Sequence, residues 1–375
     1  MTAYDVAVIG LGSTGSAALM NLAQRGARAV GIERFVPGHD RGSSHGETRI
    51  IRLGYFEHPS YVPLLRRTYA LWRELEARTG GALMQITGIV EIGPPEGEVV
   101  AGTLEASRQH GLPHEVMDAA EAMRRFPAFR IPPDYAAVFQ PDGGFLAVEP
   151  SIAVMVEQAK QAGATLRTGE TVLAVKPQPS GVRIETTGGS IDAGTAIVAA
   201  GAWLPKLMPG VPAPLRVTRQ VQAWFEPHDA ALFAPDRFPV FLLESRHGTH
   251  YGFPARGGSG VKIAKHHHAD EAVDPETVDR TVSAQDEAMV RAALAAHIPA
   301  ANRVMLAAKT CLYTVTPDHH FIVDRLPGAP NVIVASACSG HGFKFAPMLG
   351  EALAQLALDG ETAHDLSRFR LSRFG

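Results

Sequence analysis

Cysteine is scarce in this chain, with only Cys311 and Cys338 among 375 residues. They lie too far apart for the short CxxC pair of a metal site. Their number allows one disulfide, but we expect a cytoplasmic, reducing location, where disulfides are rare. This expectation rests on the start “MTAYDVAVIG”, which enters a strand pattern with no room for a signal peptide.

Long hydrophobic runs and an excess of one charge are also missing. No apolar stretch reaches the roughly 18 residues that a membrane-spanning helix needs. The 35 Lys and Arg nearly balance the 38 Asp and Glu, leaving a net charge of −3, which argues against a general nucleic-acid or membrane-surface binder. With 46% hydrophobic residues and no repeats or low-complexity tracts, the chain should fold as two domains or one elaborated domain.

The N-terminal segment carries a nucleotide-binding pattern. A short apolar run, “DVAVIG”, is typical of a buried parallel strand, and “GLGSTG” follows with GxGxxG spacing. Gly10 permits the tight turn, Gly12 lets the backbone approach a pyrophosphate, and Gly15 lets helix and strand pack closely. The helix predicted over “SAALMNLAQRG” then points its N-terminus, near Ser13 and Thr14, at the phosphate charge.

A second predicted strand, “AVGIE”, ends in Glu33, 18 residues after Gly15, and Arg34 follows. A carboxylate at this point accepts hydrogen bonds from ribose hydroxyls. Strand, helix, second strand and acid in this order favour a dinucleotide site over a simple glycine-rich turn. FAD and NAD both satisfy the pattern. The next segment, “GSSHGETRIIR” (42–52), is predicted to be a polar loop that leads into the helix “YVPLLRRTYALWRELEART”.

Three later segments complete a resemblance that covers the whole chain: “YGFP…GVKIAKH”, “CLYTVTPDHHFIVD” and “SGHGFKFAPMLGEALAQLA”. With the N-terminal motifs, and in the same order, they resemble the monomeric sarcosine oxidase family, which includes N-methyltryptophan oxidase and is related to the fructosyl amino acid oxidases. These flavoenzymes oxidise secondary amines of amino acids. The resemblance implies an α/β (α+β) fold of the D-amino-acid-oxidase type, with a Rossmann-like FAD-binding domain and a second domain built on an antiparallel sheet.

The predicted domains are discontinuous in sequence. Residues 1–84, 145–215 and 317–375 should form the FAD-binding domain, because they hold the glycine motif and the apolar strands that return to it. Residues 85–144 and 216–316 should form the substrate domain, because “THYGFPARGGSGVKIA” alternates like a hairpin. The active site should lie between the two.

The resemblance implies which residues contact FAD. They are Gly10, Gly12, Ser13, Thr14, Gly15, Glu33, Arg34, Ser43, Ser44, Thr48, Arg49, Gly201, Gly340, His341, Gly342, Phe343 and Lys344. It also implies that Cys311 is linked to the flavin 8α-methyl group through a thioether, for which a thiolate is the nucleophile. The alternative is a small buried residue, as most free cysteines are. Cys338, after the apolar run “NVIVASA”, is expected to pack in the core.

The resemblance further implies a carboxylate clamp and an oxygen-activating lysine. Arg52 can meet a substrate carboxylate with two parallel hydrogen bonds, and Lys344 adds a point charge. Lys262 is placed at the flavin, where a fixed positive charge stabilises superoxide as it forms. Arg49 should lie nearer the flavin. Alternation in “GVKIAKH” predicts that Lys262 and His266 share one strand face.

Tyr251, His266 and Tyr313 should shape the cavity near the amine. The run “KHHHAD” suggests a metal, but adjacent strand residues point to opposite faces, so we predict no metal site. The loop after His266 is one residue longer than expected for sarcosine oxidase. The pattern therefore leaves open whether His266 or His267 faces the flavin.

The expected function is oxidation of a secondary amine, such as that of sarcosine, with oxygen as acceptor. The products would be hydrogen peroxide, an aldehyde and the demethylated amino acid, made by a monomer without nucleic-acid or membrane partners. One alternative is a flavin dehydrogenase or another oxidase, acting on N-methyltryptophan, a fructosyl amino acid or a primary amine. Another is a non-catalytic flavin-binding subunit. Leu242, where a methionine is expected, leaves the accepted side chain open.

Overall fold

A computed structural model describes residues 4–375. Its strands are β1 (Tyr4–Ile9), β2 (Ala29–Glu33), β3 (Thr48–Ile51), β4 (Met84–Ile86), β5 (Ile89–Gly93), β6 (Glu115–Asp118), β7 (Ala136–Gln140), β8 (Gly144–Ala147), β9 (Thr165–Thr168), β10 (Val172–Gln178), β11 (Gly181–Thr186), β12 (Gly189–Val198), β13 (Arg216–Phe225), β14 (Val240–Ser245), β15 (Gly248–Phe253), β16 (Val261–Lys265), β17 (Met305–Val315), β18 (Ile322–Leu326) and β19 (Ala329–Ser336). Its α-helices are α1 (Ser13–Gln24), α2 (Val62–Thr79), α3 (Glu98–His110), α4 (Ala119–Arg125), α5 (Val148–Gln161), α6 (Leu204–Leu207), α7 (Ala284–His297) and α8 (Ala346–Asp359). Short 3-10 helices cover Pro59–Tyr61, Gly201–Trp203, Ala230–Phe233, Pro299–Ala301, Phe343–Phe345, Ser367–Phe369 and Leu371–Phe374.

The first sheet has a parallel centre in the order β19-β12-β1-β2-β9. Alternate side chains of β1 enter different cores, because successive strand residues point to opposite faces. Val6 and Val8 pack with α1, α2, α5 and α8, whereas Ala7 and Ile9 pack on the other face. Strand β18 pairs antiparallel with β19, and the β10–β11 hairpin extends the first part of β12.

Two glycines fix the junction between β1 and α1. Gly10 has a φ of +87°, in the left-handed region that favours glycine. A Cβ atom at Gly15 would lie 1.8 Å from the Gly10 carbonyl oxygen, so only glycine allows this approach. The roles predicted for both residues are confirmed.

The second sheet has the order β17-β13-β16-β15-β14-β5-β7-β6. All its neighbours are antiparallel except β14 and β5, which are parallel. Strands β14 and β5 come from distant parts of the chain, so no hairpin requires them to be antiparallel. The hairpin predicted over “THYGFPARGGSGVKIA” is confirmed as β15 and β16. One face of this second sheet packs against α4 and α7.

A third, three-stranded sheet in the order β3-β8-β4 lies beside the other two. The prediction that the whole of residues 42–52 is a loop is wrong, because Thr48–Ile51 forms β3. Its residues pair antiparallel with β8, and Ile51 is fully buried. Two β-branched residues in succession favour a strand once a partner is available.

The α/β fold class is confirmed, whereas the domain boundaries remain a proposal. The first sheet uses segments 4–33, 165–198 and 322–336, and the second uses 89–140, 216–265 and 305–315. This grouping supports the proposed division of the chain into two discontinuous domains. Among the described residues, no helix is both long and apolar enough to cross a membrane.

Candidate active site

A deep cleft opens where the strands of the first sheet end. The loops that follow β1, β2 and β12 line it, as expected for a ligand site at the carboxyl ends of parallel strands. The predicted cofactor residues found in its wall are Gly10, Gly12, Ser13, Thr14, Glu33, Arg34, Ser43, Ser44 and Gly201. A Cβ at Gly12 would contact only the Ser44 hydroxyl oxygen, at 3.5 Å, so the N-terminus of α1 is open to the cleft. Gly15 lies behind this wall.

Glu33 is held as a buried carboxylate at the edge of the cleft. Its oxygens accept hydrogen bonds from the backbone N–H groups of Leu11 (2.8 Å) and Phe35 (3.0 Å). Burial raises the pKa of Glu33, but the interaction with His39 and these two N–H groups outweighs burial, so the pKa lies below its usual value. The side chain is therefore ionised and fixed at the position predicted for a ribose acceptor.

A second cavity continues from the cleft toward the second sheet. Ser13, Ser43, Ser44 and Cys338 line both, so the two spaces meet at these residues. The predicted site residues found in the second cavity are Arg49, Arg52, Tyr251, His266, Tyr313, Gly340, His341, Gly342, Phe343 and Lys344. The structure therefore brings the predicted cofactor and substrate residues together along one continuous space.

Three predicted site residues, Thr48, Lys262 and Cys311, lie behind the wall of the two cavities. The Lys262 ammonium donates to the carbonyl oxygens of Gly46 (2.5 Å) and Thr48 (2.9 Å), and to the Thr48 hydroxyl (3.3 Å). Lys262 is 2% exposed and lies 4.8 Å from the centre of the Phe253 ring. The Cys311 sulfur lies 3.7 Å from both the Ser43 carbonyl oxygen and the nearest Arg49 nitrogen.

Two cations at this junction have no charged partner among residues 4–375, and one buried histidine has no hydrogen-bonding partner. Arg49 and Lys262 donate to carbonyl oxygens, and neither has a carboxylate partner among residues 4–375. Both ring nitrogens of the buried His45 are without a partner. Such groups are usually satisfied, so a polar, electron-rich ring system fits this junction.

Burial also changes the acidity of the groups behind the wall. It lowers the pKa of Lys262 well below that of free lysine, and the nearby Arg49 charge lowers it further. It raises the pKa of the Cys311 thiol, although Arg49 and Lys262 act in the opposite direction. Within the protein alone, Cys311 is therefore a thiol whose ionisation depends on its two cationic neighbours.

Arg52 and Lys344, which are predicted to form a carboxylate clamp, line the same cavity, and two acids that the sequence analysis missed lie beside Arg52. Arg52 is 3% exposed and forms an ion pair of 2.6 Å with Glu57, and it lies 3.8 Å from Glu91. Burial raises the pKa of Glu91 to about 8. Lys344 donates to the His341 carbonyl oxygen (2.8 Å), and burial and Arg52 lower its pKa to about 7.

Tyr251, Tyr313 and His266 line the same cavity and form what we call its aromatic wall. The His266 ring nitrogen lies 3.4 Å from the Tyr313 hydroxyl. Burial, followed by the neighbouring His267, lowers the pKa of His266 well below its usual value, so this side chain is neutral. It is His266, and not His267, that lines the cavity.

The prediction that the three consecutive histidines alternate across a strand is wrong. Strand β16 ends at Lys265, and His267 has a φ of +56°, so the segment turns rather than alternating across a sheet. The rings of His266 and His267 consequently pack with their centres 4.1 Å apart and their planes tilted by 60°. His266 itself still follows the register of β15 and β16, because its backbone N–H donates to the Thr249 carbonyl oxygen (2.8 Å). The strand face that it was predicted to share with Lys262 stays a prediction. In the described part of the chain, no group of three His, Cys, Asp or Glu side chains is placed to hold a metal.

Cys338 does not pack in the core as predicted. Strand β19 ends at Ser336, so Cys338 lies in the following loop and is partly exposed. Its sulfur accepts a hydrogen bond from the backbone N–H of Thr314 (3.4 Å) and faces both cavities. The apolar run “NVIVASA” extends the strand pattern past its real end, which explains the error.

Comparison with known families decides the class of the protein. Residues 5–356 match the family described as FAD dependent oxidoreductase. The chain belongs to the FAD-dependent oxidoreductase family. The dinucleotide cofactor of this chain is therefore FAD rather than NAD.

Full-length relatives of this FAD-dependent oxidoreductase are amine-oxidising enzymes. It is 42% identical over 371 residues to monomeric sarcosine oxidase of Streptomyces avermitilis, an alignment that covers 98% of this chain and 96% of that protein. It is 37% identical over 373 residues to N-methyl-L-tryptophan oxidase of Salmonella enteritidis PT4, covering 99% of each protein. The predicted family resemblance is confirmed.

A solved structure shares the whole architecture of this FAD-dependent oxidoreductase. NikD, an unusual amino acid oxidase essential for nikkomycin biosynthesis, superimposes with a TM-score of 0.85 at 28% identity, covering 98% of this chain and 97% of that one. Glycine oxidase from Geobacillus kaustophilus has the same fold, with a TM-score of 0.83 at 24% identity.

Proposed function

We propose that this FAD-dependent oxidoreductase oxidises the secondary amine of an N-methyl amino acid with molecular oxygen. The products are hydrogen peroxide, an aldehyde and the demethylated amino acid. The observation that carries this proposal is the cavity that joins the cleft. Two buried cations, Arg52 and Lys344, line this cavity together with Tyr251, His266 and Tyr313. The similarity to sarcosine oxidase and N-methyl-L-tryptophan oxidase supports the N-methyl amine.

The clamp binds the substrate carboxylate. Arg52 offers a planar set of N–H donors, and Lys344 offers a second positive charge from the 3-10 helix before α8. Glu57 and Glu91 also contact Arg52, but burial keeps Glu91 largely protonated near neutral pH. Below a pH of about 7, where Lys344 is protonated, one carboxylate against two cations leaves an excess of positive charge that an amino acid substrate balances.

The aromatic wall orients the amine. A neutral His266 and the Tyr251 and Tyr313 hydroxyls offer polar contacts without a fixed charge next to the substrate nitrogen. The substrate therefore reacts as a neutral amine, with no strong base needed at this wall. Arg49 occupies the side of the cavity nearer the cleft. Bound FAD supplies the two-electron acceptor for the C–H bond of the amine substrate.

Lys262 serves the reaction with oxygen. When protonated, its ammonium is a fixed positive charge behind the cavity wall that stabilises superoxide as negative charge develops. Cys311, beside Arg49, forms the thioether to FAD. A monomeric state and a cytoplasmic location remain predictions.

The decisive experiment compares two groups of amines under anaerobic conditions. Sarcosine, N-methyl-L-tryptophan and other N-methyl amino acids should bleach the flavin absorbance of the holoenzyme, and peroxide should appear on admission of air. N-methylated amines of similar size without a carboxylate should bleach it far more slowly. Equal rates for the two groups would refute the proposed substrate class, and reduction without peroxide would point to a dehydrogenase.

A further inference from the structure

The three consecutive histidines after β16 have three different environments. His266 lines the substrate cavity, and the His267 ring packs against the ring of His319 with centres 4.7 Å apart. His268 points away from the cavity, and its side chain is fully buried. The proposed function uses only the first of these side chains, which leaves the buried His268 to be explained.

His268 joins this turn to the start of α7. Its Nε2 atom lies 2.8 Å from a carboxylate oxygen of Asp286. Asp286 also accepts two hydrogen bonds from Arg219, both of 2.9 Å, and closes the capping box of α7 with Ser283. A carboxylate is an acceptor only, so Nε2 of His268 carries the proton. The other ring nitrogen has no partner, which leaves the Asp286 bond as the single polar contact of this ring.

The turn itself needs such an anchor. His267 has a φ of +56°, a conformation that non-glycine residues keep only when their surroundings hold it. Backbone hydrogen bonds from His266 to Thr249 and from Asp270 to His267 close the turn, both at 2.8 Å. Together with the His268 bond, they leave little freedom for the ring of His266.

We propose that His268 is a positioning residue, which anchors the turn to Asp286 and thereby holds His266 against Tyr313 at the amine side of the cavity. This inference rests on the proposed function, because it assigns His266 to the amine. Neither clamp residue belongs to this turn, because Arg52 directly follows β3 and Lys344 lies in the 3-10 helix before α8. Amine oxidation and carboxylate binding should therefore respond differently when the anchor is lost.

The test compares His268→Leu with His268→Gln in the holoenzyme. In the Leu variant, anaerobic flavin reduction by sarcosine or N-methyl-L-tryptophan should slow by roughly tenfold to 100-fold, because small misplacements at a reacting centre cost this much. The dissociation constant of acetate, read from the flavin spectrum, should stay unchanged. His268→Gln should recover most of the rate, since its amide nitrogen can donate to Asp286.

His297→Leu is the matched control. Like His268, His297 is a buried histidine. It lies at the end of α7, and its ring bonds the Arg130 carbonyl oxygen rather than any group of the turn. In His297→Leu, the substrate should reduce the flavin at the wild-type rate. The inference is overturned if His268→Leu reduces its flavin as fast as the wild type or this control. It is also overturned if His268→Gln does not recover the rate, or if His268→Leu loses acetate affinity by the same factor as it loses rate.

A second measurement keeps the two proposals separate. If no N-methyl amino acid reduces the wild-type flavin, the proposed function fails. The anchor is then judged by 15N NMR of the histidine rings in the wild-type holoenzyme, which also decides the matter if His268→Leu does not fold. A proton on Nε2 of His268 supports the bond to Asp286, and a proton on Nδ1 alone overturns it.

Discussion

Arg52 and Glu57 form an ion pair of 2.6 Å inside the substrate cavity, and only 12% of the Glu57 side chain is exposed. From the sequence, we expected two buried cations that need an external anion. The internal carboxylate already balances one of them. A substrate carboxylate must therefore compete with Glu57 for the guanidinium, whereas Lys344 contacts only uncharged oxygens.

Removal of this competitor should tighten carboxylate binding. In Glu57→Gln the cavity gains positive charge and Arg52 loses its ionic partner, so the dissociation constant of acetate should fall several-fold. Titration of the flavin absorbance measures it. Glu74→Gln makes the same charge change on an exposed helix face, where solvent and salt screen it, and should have no effect. Weaker acetate binding in Glu57→Gln would contradict the competition.

Carboxylate binding should weaken as the pH rises. The pKa of Lys344 is lowered to about 7, so its positive charge is present below that pH and is lost above it. The dissociation constant of acetate should therefore increase above pH 7, by at most about tenfold per pH unit for one proton. In Lys344→Met the constant should be higher and nearly flat over the same range. The same slope in both proteins would rule out Lys344 as its source.

Loss of Lys262 should affect the reaction with oxygen more than amine oxidation. In Lys262→Met, reoxidation of the reduced enzyme should slow by about 100- to 1000-fold, the cost of removing a preorganised charge. Stopped-flow mixing with air-saturated buffer measures this rate. Lys265→Met, at the partly exposed end of the same strand, is the control. Reoxidation at the wild-type rate in Lys262→Met would refute the assignment.

The same charge predicts a pH dependence of reoxidation. Only the protonated ammonium can stabilise superoxide, so the rate should fall as the pH rises through the pKa of Lys262. Burial lowers that pKa, and the fall should therefore occur below the pH of about 10.4 that is typical of a free lysine. The fall should be absent in Lys262→Met.

The cysteines provide a matched pair for the covalent link. After acid precipitation of the wild type and of Cys338→Ala, the yellow colour should stay with the protein pellet. With Cys311→Ala it should move to the supernatant. Both sulfurs lie near Ser43: that of Cys311 is 3.7 Å from the carbonyl oxygen, and that of Cys338 is 3.8 Å from the hydroxyl oxygen. If Cys338→Ala released the colour and Cys311→Ala kept it, the link would be assigned to Cys338 instead.

The nucleotide end of the site could be predicted because its signals are local. The strand, the glycine spacing, the helix and Glu33 follow one another within a single βαβ unit, where periodicity and turn chemistry determine structure. Strand β3 was missed because its partner, β8, lies about a hundred residues later. A segment that becomes a strand only through a distant neighbour has no local signal.

The substrate end depends on contacts that spacing does not encode. The ion pair between Arg52 and Glu57 requires the loop after β3 to fold back on the cavity. The His267 turn has a left-handed conformation without a glycine to indicate it. Cys338 was misplaced because an apolar run does not show at which residue a strand ends.

The strand order of the first sheet has a consequence for synthesis of the chain on the ribosome. Strand β1 leaves the ribosome before the other strands. It pairs with β12, and β12 pairs on its other side with β19, which ends at Ser336. The sheet that carries the glycine motif therefore has an open edge until about nine-tenths of the chain has been made. Nascent chains shorter than this expose unpaired strands, so they need protection from aggregation before the cofactor can be bound.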